Sequence, residues 1–438
     1  MAIRIKKKVL LLSSGDTFGA YEYLYRMAKA MEEDYEVALV VRDKRKKDIW
    51  IYHVEVLTSK NSLLKRIFNY CKRKMGFKTD ILQPDPLYVF LPNEDESIQL
   101  VIADTVLKAI PFVPDIIFSG MTPGFINTST LLDLHIKTGA KVYQVMVDMN
   151  LLTGGCHSVW GCEGFKSDCS NCPAIANTKF NGFTVNNLAI KKKNIQQGDF
   201  KLLVIPGWNL HQTNLSTLYK NRLIVQSCNI VDTSIFTDIN RHVAKQLFGI
   251  SPETKVVFAG SNNQKAEVKG RRYFVDALSK LWTNLNDKER ENIVVLMIGH
   301  KHQNEEDEHT LKIQFKKVLI DFITDYRLLS LAYQASEVFV CPSLEEGGPM
   351  MIPEAMACGT PVVGFEMGSL FDNSLVENGV HGYRVRMKDT TEMAYSLKNI
   401  LELSKSEFNL MSLNARKQAL SLSSEQAFVD SISDILQN

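Results

Sequence analysis

The stretch that decides the fold reads PSLEEGGPMMIPEAMACGTPVV and spans residues 342–363. It follows the apolar run Val338–Cys341, which predicts a buried strand, and its two adjacent glycines predict a loop at the end of that strand. A helix is expected to begin near Pro353, because proline suits the first turn, and to end at Gly359. The next apolar run, Pro361–Phe365, predicts a second strand. This order of strand, glycine loop, helix and strand is typical of a parallel α/β sheet.

The same alternation of short apolar runs and helical stretches occurs on both sides of residue 229. The predicted strands are Val9–Leu12, Val37–Val41, Ile116–Ser119, Val142–Met146, Leu202–Ile205 and Leu223–Gln226, then Val256–Ala259, Val294–Ile298, Val338–Cys341 and Pro361–Phe365. We therefore predict an α/β protein with two doubly wound, Rossmann-like domains, residues 1–229 and 230–415. Residues 416–438 are expected to form a C-terminal helix that packs back toward the first domain. Because ligands bind beyond the carboxyl ends of parallel strands, two such domains facing each other would form one cleft.

Composition excludes several classes of protein. The chain has 438 residues, 45% hydrophobic and 23% charged, with a formal net charge of +2, which excludes a disordered chain or a coiled coil and argues against nucleic-acid binding. No apolar run approaches the roughly 18 residues of a membrane span, so a cytoplasmic protein is predicted. The first 80 residues nevertheless hold 18 Lys and Arg against 10 Asp and Glu. Within them, residues 63–74 mix apolar and basic side chains, which fits either a helix on an anionic membrane surface or a solvated helix packed on the core.

Two glutamates in the deciding stretch have the chemistry of a sugar-nucleotide site. Amides at a helix start suit a diphosphate, and Glu354 can accept hydrogen bonds from the vicinal hydroxyls of a ribose. Glu346, eight residues earlier, would reach a neighbouring sugar. The alternative for Glu354 is simple stabilisation of the helix dipole.

The stretch Glu346–Val363 resembles the Glu-x7-Glu signature of the retaining, GT-B-fold glycosyltransferases of family 4, followed by Glu-Ala-Met-Ala-Cys-Gly-x-Pro-Val-Val. Weaker matches lie at Gly19-Ala20, Val231-Asp232 and Lys269-Gly270. The resemblance implies a nucleotide-diphosphate sugar donor held mainly by the second domain. In it, Glu354 would bind the ribose, Lys269 the diphosphate and Glu346 the transferred sugar, and transfer would retain the anomeric configuration without a bound metal.

The resemblance also implies a wider donor site. A basic residue usually precedes the lysine, and Lys265 is favoured here over Arg271 and Arg272. The remaining donor-binding candidates are Gly19, Gly260, Gly347, Gly348, Met350, Met351, Glu366, Gly368 and Ser369.

The chain departs from the family at two positions. Gly348-Pro349 stands where the family usually has Phe-Gly, which alters the pocket around the donor sugar. Val147-Asp148 stands where many relatives have His-Asp, so an imidazole that contacts the donor sugar is missing. Asp148 or His157 would compensate, which makes these two residues catalytic candidates beside Glu346; otherwise the protein is a slow or non-catalytic member.

Four cysteines, Cys156, Cys162, Cys169 and Cys172, lie within 17 residues as C-x5-C-x6-C-x2-C. In a reducing compartment such a cluster favours a structural zinc site that braces residues 153–173, with reduced or disulfide-paired cysteines as the alternatives.

The sequence thus predicts a retaining glycosyltransferase that moves a sugar from a nucleotide-diphosphate sugar to a glycan or lipid-linked glycan acceptor in bacterial surface polysaccharide synthesis. It would be cytoplasmic or peripheral on the inner membrane face, with no nucleic-acid partner and no cofactor required for catalysis. The alternatives are a GT-B-type epimerase or phosphorylase and a degenerate, non-catalytic nucleotide-sugar-binding protein.

Overall fold

A computed structural model describes residues 6–17, 19–56, 84–91, 94–175, 180, 182–260, 266–299 and 308–437. The basic segment 63–74 and the donor-binding candidate Lys265 lie outside the described residues. The chain divides into two compact units. The first unit comprises residues 1–204, 211–225 and 434–438, and the second comprises residues 205–210 and 226–433.

The first unit contains a seven-stranded sheet in the order β3-β2-β1-β4-β5-β6-β7. Its strands are β1 (Lys8–Gly15), β2 (Glu36–Asp43), β3 (Ile51–His53), β4 (Ile116–Ser119), β5 (Lys141–Met146), β6 (Lys201–Val204) and β7 (Ile224–Gln226). Strand pairs from β3 through to β6 all run parallel. Up to residue 215 the helices are α1 (Gly19–Met31), α2 (Ala103–Ala109), α3 (Thr128–Thr138), α4 (Phe183–Gln197) and α5 (Trp208–Leu215), of which α5 begins in the second unit.

The second unit contains a six-stranded sheet in the order β10-β9-β8-β11-β12-β13, with every neighbouring pair parallel. Its strands are β8 (Lys255–Gly260), β9 (Ile293–Ile298), β10 (Lys316–Ile320), β11 (Val338–Cys341), β12 (Val362–Phe365) and β13 (Gly382–Val385). The later helices are α6 (Arg241–Leu247), α7 (Arg271–Thr283), α8 (Asp287–Glu291), α9 (Glu308–Leu311), α10 (Tyr326–Gln334), α11 (Met351–Ala357), α12 (Thr390–Glu402), α13 (Lys405–Ser423), α14 (Glu425–Ser431) and α15 (Ser433–Gln437).

Both sheets therefore have the strand order of a Rossmann-like fold, which confirms the predicted fold class. In each sheet the first strand lies between the second and the fourth, so the direction in which strands are added reverses at β1/β4 and at β8/β11. Such switch points leave a crevice outside the carboxyl ends of the strands, where ligands bind in open α/β sheets.

The central strands form where the apolar runs are continuous, because both faces of a parallel sheet are covered. In β1 the four residues Val9, Leu10, Leu11 and Leu12 are fully buried. All ten predicted strands are present; β4 and β11 have the predicted ends, and the other eight are shifted by one to three residues at one or both ends. The three strands that the sequence did not predict, β3, β10 and β13, lie at sheet edges. Edge strands carry polar residues, such as His53, Lys316 and Arg384, that interrupt an apolar run.

Local signals end the elements as expected. Gly359, just beyond α11, has φ +72°, the left-handed conformation that stops a helix. Ser404 begins α13 with a capping box shared with Glu407. Among the described residues, no helix combines the length and apolar character needed to cross a membrane.

Candidate functional site

The predicted diphosphate-binding lysine and sugar-binding glutamate meet at the switch point of the second unit. Lys269 ends a 3-10 turn, Glu267–Lys269, between β8 and α7, and Glu346 lies in the loop that follows β11. Their side chains form an ion pair, and the Ser343 hydroxyl donates a second hydrogen bond to Glu346 at 3.1 Å. Lys269 and Glu346, which are 77 positions apart in the sequence, are thereby joined at the carboxyl ends of the central strands β8 and β11.

The ion pair keeps Lys269 charged. Burial of the ammonium lowers its pKa, but the adjacent Glu346 carboxylate more than offsets this, so that the pKa of Lys269 is raised. The Lys269 side chain is 29% exposed and the Glu346 side chain is 19% exposed. An anionic ligand would therefore meet a cation that is partly shielded from water, where electrostatic attraction is stronger than in bulk solvent.

Gly270 allows the turn that carries Lys269 to lie against β11. Its φ is +62°, and an added Cβ would lie 1.8 Å from the carbonyl oxygen of Pro342. Only glycine permits this close approach of two backbones. The predicted Lys-Gly pair therefore consists of the candidate diphosphate-binding side chain and the residue that positions it.

The glycine loops after β11 and β12 also contact each other. A Cβ at Gly368, whose φ is +57°, would lie 3.0 Å from the Glu346 carbonyl oxygen and 3.4 Å from the Gly348 amide nitrogen. Next to Gly368, Ser369 accepts a hydrogen bond from the Asn229 amide at 3.0 Å. The structure thus gathers the candidates Gly347, Gly348, Gly368 and Ser369 beside Glu346.

Four further donor-binding candidates lie at the ends of strands and helices of the second unit. Gly260 ends β8, Glu366 follows β12 and pairs with Arg384 at 3.8 Å. Met350 and Met351, at the start of α11, are half-buried. Positions at the ends of strands and at the start of a helix are the ones expected for residues that contact a ligand beyond the carboxyl ends of the strands.

Glu354 lies in α11 and is nearly enclosed, with 2% of its surface exposed. The Tyr333 hydroxyl donates a hydrogen bond to its Oε2 at 3.3 Å. A buried carboxylate is costly unless it is hydrogen-bonded, so Glu354 is held in place by the fold rather than solvated on a helix surface. This burial weighs against the simple helix-dipole interpretation.

In the first unit, the two remaining catalytic candidates are in direct contact. Asp148 follows β5, and its Oδ2 lies 2.8 Å from Nδ1 of His157. The other ring nitrogen, Nε2, lies 2.9 Å from Oε1 of Glu94. The imidazole is 6% exposed and bridges two carboxylates.

Burial lowers the pKa of His157, but Asp148 and Glu94 outweigh it and raise the pKa to about 10. The side chain is therefore an imidazolium whose two N–H groups both donate to protein carboxylates. In this arrangement His157 does not present a free nitrogen to a sugar. It orients Asp148, whose Oδ1 also caps the following turn through the Asn150 amide at 2.9 Å.

Glu94 and its neighbours are functional candidates that the motifs did not predict. Asn150 donates to Glu94 Oε2 at 3.2 Å, and Lys191 donates to the Asn150 carbonyl at 2.7 Å. Glu96, buried nearby, accepts hydrogen bonds from the Thr128 amide and hydroxyl at 3.0 and 2.7 Å, and its burial raises its pKa. The acidic run 94–96 was the only available signal, and acidic runs are common on solvated loops.

The glycine at the start of α1 adopts a left-handed conformation, with φ +55° at Gly19. Two residues on, burial raises the pKa of Tyr21, and Asp148 and Glu94 act on it electrostatically in the same direction, whereas Arg42 opposes them. The ends of β1, β2 and β5 therefore converge on one polar region of the first unit.

The four clustered cysteines form no disulfide bond and lie close to one another. Cys162, Cys169 and Cys172 each act electrostatically on Cys156. A Cβ on Gly164 would lie 3.5 and 3.8 Å from two of their sulfurs, and the Gly164 amide donates to Sγ of Cys162 at 3.4 Å. In this arrangement no three His, Cys, Asp or Glu side chains among the described residues form a group that would hold a metal ion.

Comparison with known proteins bears on the second unit. Residues 253–403 match the family described as "Glycosyl transferases group 1". A D-inositol 3-phosphate glycosyltransferase of Geodermatophilus obscurus is 36% identical over 105 residues, which is 24% of this chain and 22% of that protein. A UDP-Gal:alpha-D-GlcNAc-diphosphoundecaprenol alpha-1,3-galactosyltransferase of Escherichia coli is 31% identical over 102 residues, covering 23% of this chain and 25% of that one. The chain spans 22% to 43% of the length of such curated relatives.

Solved structures match the whole fold. A sucrose-phosphate synthase from Thermosynechococcus elongatus aligns with a TM-score of 0.63 at 16% identity, covering 99% of this chain and 98% of that one. Anabaena HepE in complex with UDP and glucose aligns with a TM-score of 0.62 at 15% identity, covering 98% and 99%. Lys269, Glu346 and Glu354 thus all lie within the segment that matches the group 1 family, and the two units have Rossmann-like folds similar to those of GT-B glycosyltransferase structures.

Proposed function

We propose that the protein is a retaining glycosyltransferase that transfers a sugar from a nucleotide-diphosphate sugar to a glycan or lipid-linked glycan acceptor. The observation that supports this proposal best is the ion pair of Lys269 and Glu346 at the β8/β11 switch point, within the segment that matches the family. A cation at this place suits the diphosphate, and a carboxylate beside it suits the sugar hydroxyls.

In this proposal Lys269 stabilises the leaving nucleoside diphosphate. Negative charge builds up on the diphosphate as the bond to the sugar breaks, and a fixed, shielded cation is worth more there than in water. Lys269 would supply this charge without a catalytic metal. Glu346 holds the ammonium in position and is close enough to the same ligand to accept hydrogen bonds from the transferred sugar.

Glu354 would bind the ribose. A carboxylate has two acceptor oxygens, which match two vicinal hydroxyls, and the hydrogen bond from Tyr333 holds one of those oxygens in a defined orientation. Because the group is nearly enclosed, a ribose that reaches it is largely removed from water. Removal of the carboxylate should then weaken nucleotide binding more than removal of an exposed one.

The acceptor that we propose is supported by the charge of the other unit. The first 80 residues carry a surplus of eight positive charges, which favours an anionic acceptor or an anionic membrane surface. A relative that matches a quarter of its length to this chain is named for a diphosphoundecaprenol-linked acceptor. We therefore place the protein in bacterial surface polysaccharide synthesis, in the cytoplasm or peripherally on the inner membrane face.

Nucleotide binding is tested by thermal shift with a panel of nucleoside diphosphates and their sugars. We expect at least one to raise the melting temperature of the wild-type protein and of a Glu291→Ala control, which removes an exposed carboxylate from α8. Glu354→Ala should abolish the shift. An equal shift in both variants would show that Glu354 plays only a structural part.

Catalysis is tested by incubating the stabilising donor with and without a lipid-linked glycan acceptor. Release of nucleoside diphosphate that requires the acceptor, with retained configuration in the product, is the expected result. Epimerisation or phosphorolysis of the donor alone would instead indicate a GT-B-type epimerase or phosphorylase. Binding without release from any donor would indicate a degenerate, non-catalytic protein.

A further inference from the structure

A buried amide in the second unit holds a serine of the glycine loop that follows β12. Asn229 is 3% exposed, and its Nδ2 donates a hydrogen bond to Oγ of Ser369 at 3.0 Å. The Oδ1 of Asn229 is also enclosed, and no group of the described residues donates to it. The amide therefore makes one hydrogen bond through its nitrogen and leaves its oxygen unpaired.

An amide in this state adds little to the stability of the fold. One neutral hydrogen bond contributes a small net free energy, and an unpaired buried acceptor costs a comparable or larger amount. Buried polar atoms without a partner are rare in folded proteins, and each of them needs an explanation. Stability therefore does not account for Asn229, whereas its hydrogen bond to Ser369 gives it a role in placing a side chain of the loop.

The hydrogen bond from Asn229 decides how the Ser369 hydroxyl is used. A hydroxyl has one hydrogen to donate and two lone pairs that accept. The Asn229 amide occupies one lone pair, so the O–H of Ser369 must point away from that amide. Within the part of the chain that the structure describes, no group accepts a hydrogen bond from this O–H. Ser369 therefore has a donor hydrogen left for a ligand.

This hydroxyl lies at the loops of the proposed donor site. A Cβ on Gly348 would lie 3.5 Å from Oγ of Ser369. A Cβ on Gly368 would lie 3.0 Å from the carbonyl oxygen of Glu346. These four residues belong to the second unit and follow β11 or β12. The donor hydrogen is therefore placed at the carboxyl ends of these strands, where ligands of parallel sheets bind.

The loop is also held at a second point. Arg384 of β13 donates hydrogen bonds to the carbonyl oxygens of Leu370 and Phe371, both at 3.4 Å. The same guanidinium lies 3.8 Å from the carboxylate of Glu366. The loop is thus ordered by Arg384 and Asn229 before a ligand arrives, and a group that is already in position loses little entropy on binding.

We propose that Asn229 is a positioning residue of the donor site, which directs the Ser369 hydroxyl to donate a hydrogen bond to an oxygen of the nucleotide-diphosphate sugar. This rests on the proposed function, because that function supplies the ligand. The accepting oxygen lies on the diphosphate or on the transferred sugar, since both carry oxygens that accept. Hydrogen bonds to ionised oxygens are about twice as strong as neutral ones. Loss of this bond should therefore weaken binding by about tenfold or more.

Calorimetry on the full chain with UDP and UDP-glucose, and with GDP and GDP-mannose, tests the proposal. Ser369→Ala should weaken the binding of the preferred nucleotide sugar at least tenfold. Asn229→Leu, which keeps the size of the side chain and removes its polar atoms, should weaken it at least fivefold. The double variant should bind no more weakly than Ser369→Ala alone, because Asn229 acts through Ser369.

Gln334→Met is the matched control. Gln334, at the end of α10, is 4% exposed, donates from Nε2 to Oγ of Ser330 at 3.1 Å and has an unpaired Oε1. It precedes β11 and so lies toward the amino end of that strand. Its replacement should change each affinity less than twofold. Urea unfolding without ligand should give Asn229→Leu a midpoint no lower than that of the wild-type protein.

The accepting oxygen is identified by the ligand that shows the loss. A loss already present with the nucleoside diphosphate assigns the hydrogen bond to the diphosphate, and a loss confined to the nucleotide sugar assigns it to the transferred sugar.

Three results would overturn the proposal. Wild-type affinity of Ser369→Ala for every ligand is the first, and it decides even where Asn229→Leu does not fold. The second is a double variant whose loss equals both single losses combined. The third is a lower urea midpoint of Asn229→Leu with unchanged affinity, which would make Asn229 purely structural.

Failure of the proposed function is recognised separately. If the wild-type protein binds none of the four nucleotides, the proposed function fails and the role of Asn229 falls with it. If the wild-type protein binds them and the substitutions at Asn229 and Ser369 change nothing, only the inference about Asn229 fails.

Discussion

Replacing Lys269 by methionine removes the cation at the β8/β11 switch point while keeping a side chain of similar length. Loss of one preorganised charge-stabilising group typically slows transfer by about 10²–10³-fold, or about 2.7–4 kcal/mol. We therefore expect Lys269→Met to lower kcat by two to three orders of magnitude and to weaken the binding of nucleoside diphosphate. Lys288→Met, which removes an exposed lysine from α8, should leave both unchanged.

The same substitution should also reduce stability, because it leaves Glu346 without its cation. Both side chains are less than a third exposed, so we expect the free energy of unfolding to fall by about 1–2 kcal/mol, between the values for surface and fully buried pairs. Adding Glu346→Gln removes the uncompensated charge and should restore most of that stability without restoring turnover.

Nucleoside diphosphate release at saturating donor, together with urea unfolding, separates the two effects. The assignment of Lys269 to the diphosphate is refuted if Lys269→Met binds nucleotide and turns over as well as the Lys288 control. A loss of activity that the double variant reverses along with stability would show that Lys269 acts only through the fold.

Three other changes test parts of the structure. The zinc site predicted from the sequence, which the four cysteines do not form in the arrangement described above, is tested by mass spectrometry of freshly purified protein. One zinc per chain, absent from the Cys169→Ser/Cys172→Ser variant, is the result that this prediction requires, and metal-free wild-type protein would contradict it. Gly270→Ala should unfold at clearly lower urea concentration than Gly249→Ala, since both glycines have a positive φ but only a Cβ at Gly270 meets a carbonyl oxygen; equal midpoints would refute that contact. His157→Gln should lower the free energy of unfolding by about 3 kcal/mol, because its two partly buried carboxylate partners are left facing each other, and an unchanged urea midpoint would contradict this bridge.

Much of the fold follows from local sequence. Central strands such as Val338–Cys341 are buried on both faces and appear as continuous apolar runs, so they are predicted almost to the residue. The edge strands β3, β10 and β13 are not, because one side of each is free of a neighbouring strand and polar residues are tolerated there.

The residues of the candidate site were likewise predictable only where a local sequence pattern marks them. Glu346 and Glu354 were found because they belong to one short motif whose spacing is set by a loop and a helix. Lys269 was found by resemblance, but its pairing with Glu346 depends on two loops being brought to the same sheet edge. Glu94 was not predicted because it belongs to no motif. It became a candidate only because the structure places it in contact with His157, which is 63 residues away in the sequence.

The sequence by itself determined the two parallel sheets and the glutamate pair, because strand burial and helix boundaries are recorded in the order of neighbouring residues. Only the tertiary structure decided which charges meet: Lys269 with Glu346, His157 between Asp148 and Glu94, and Lys46 with Glu22. The physical reason is that Coulomb and hydrogen-bond energies depend on distance and burial, and both are set by strand order rather than by separation along the chain.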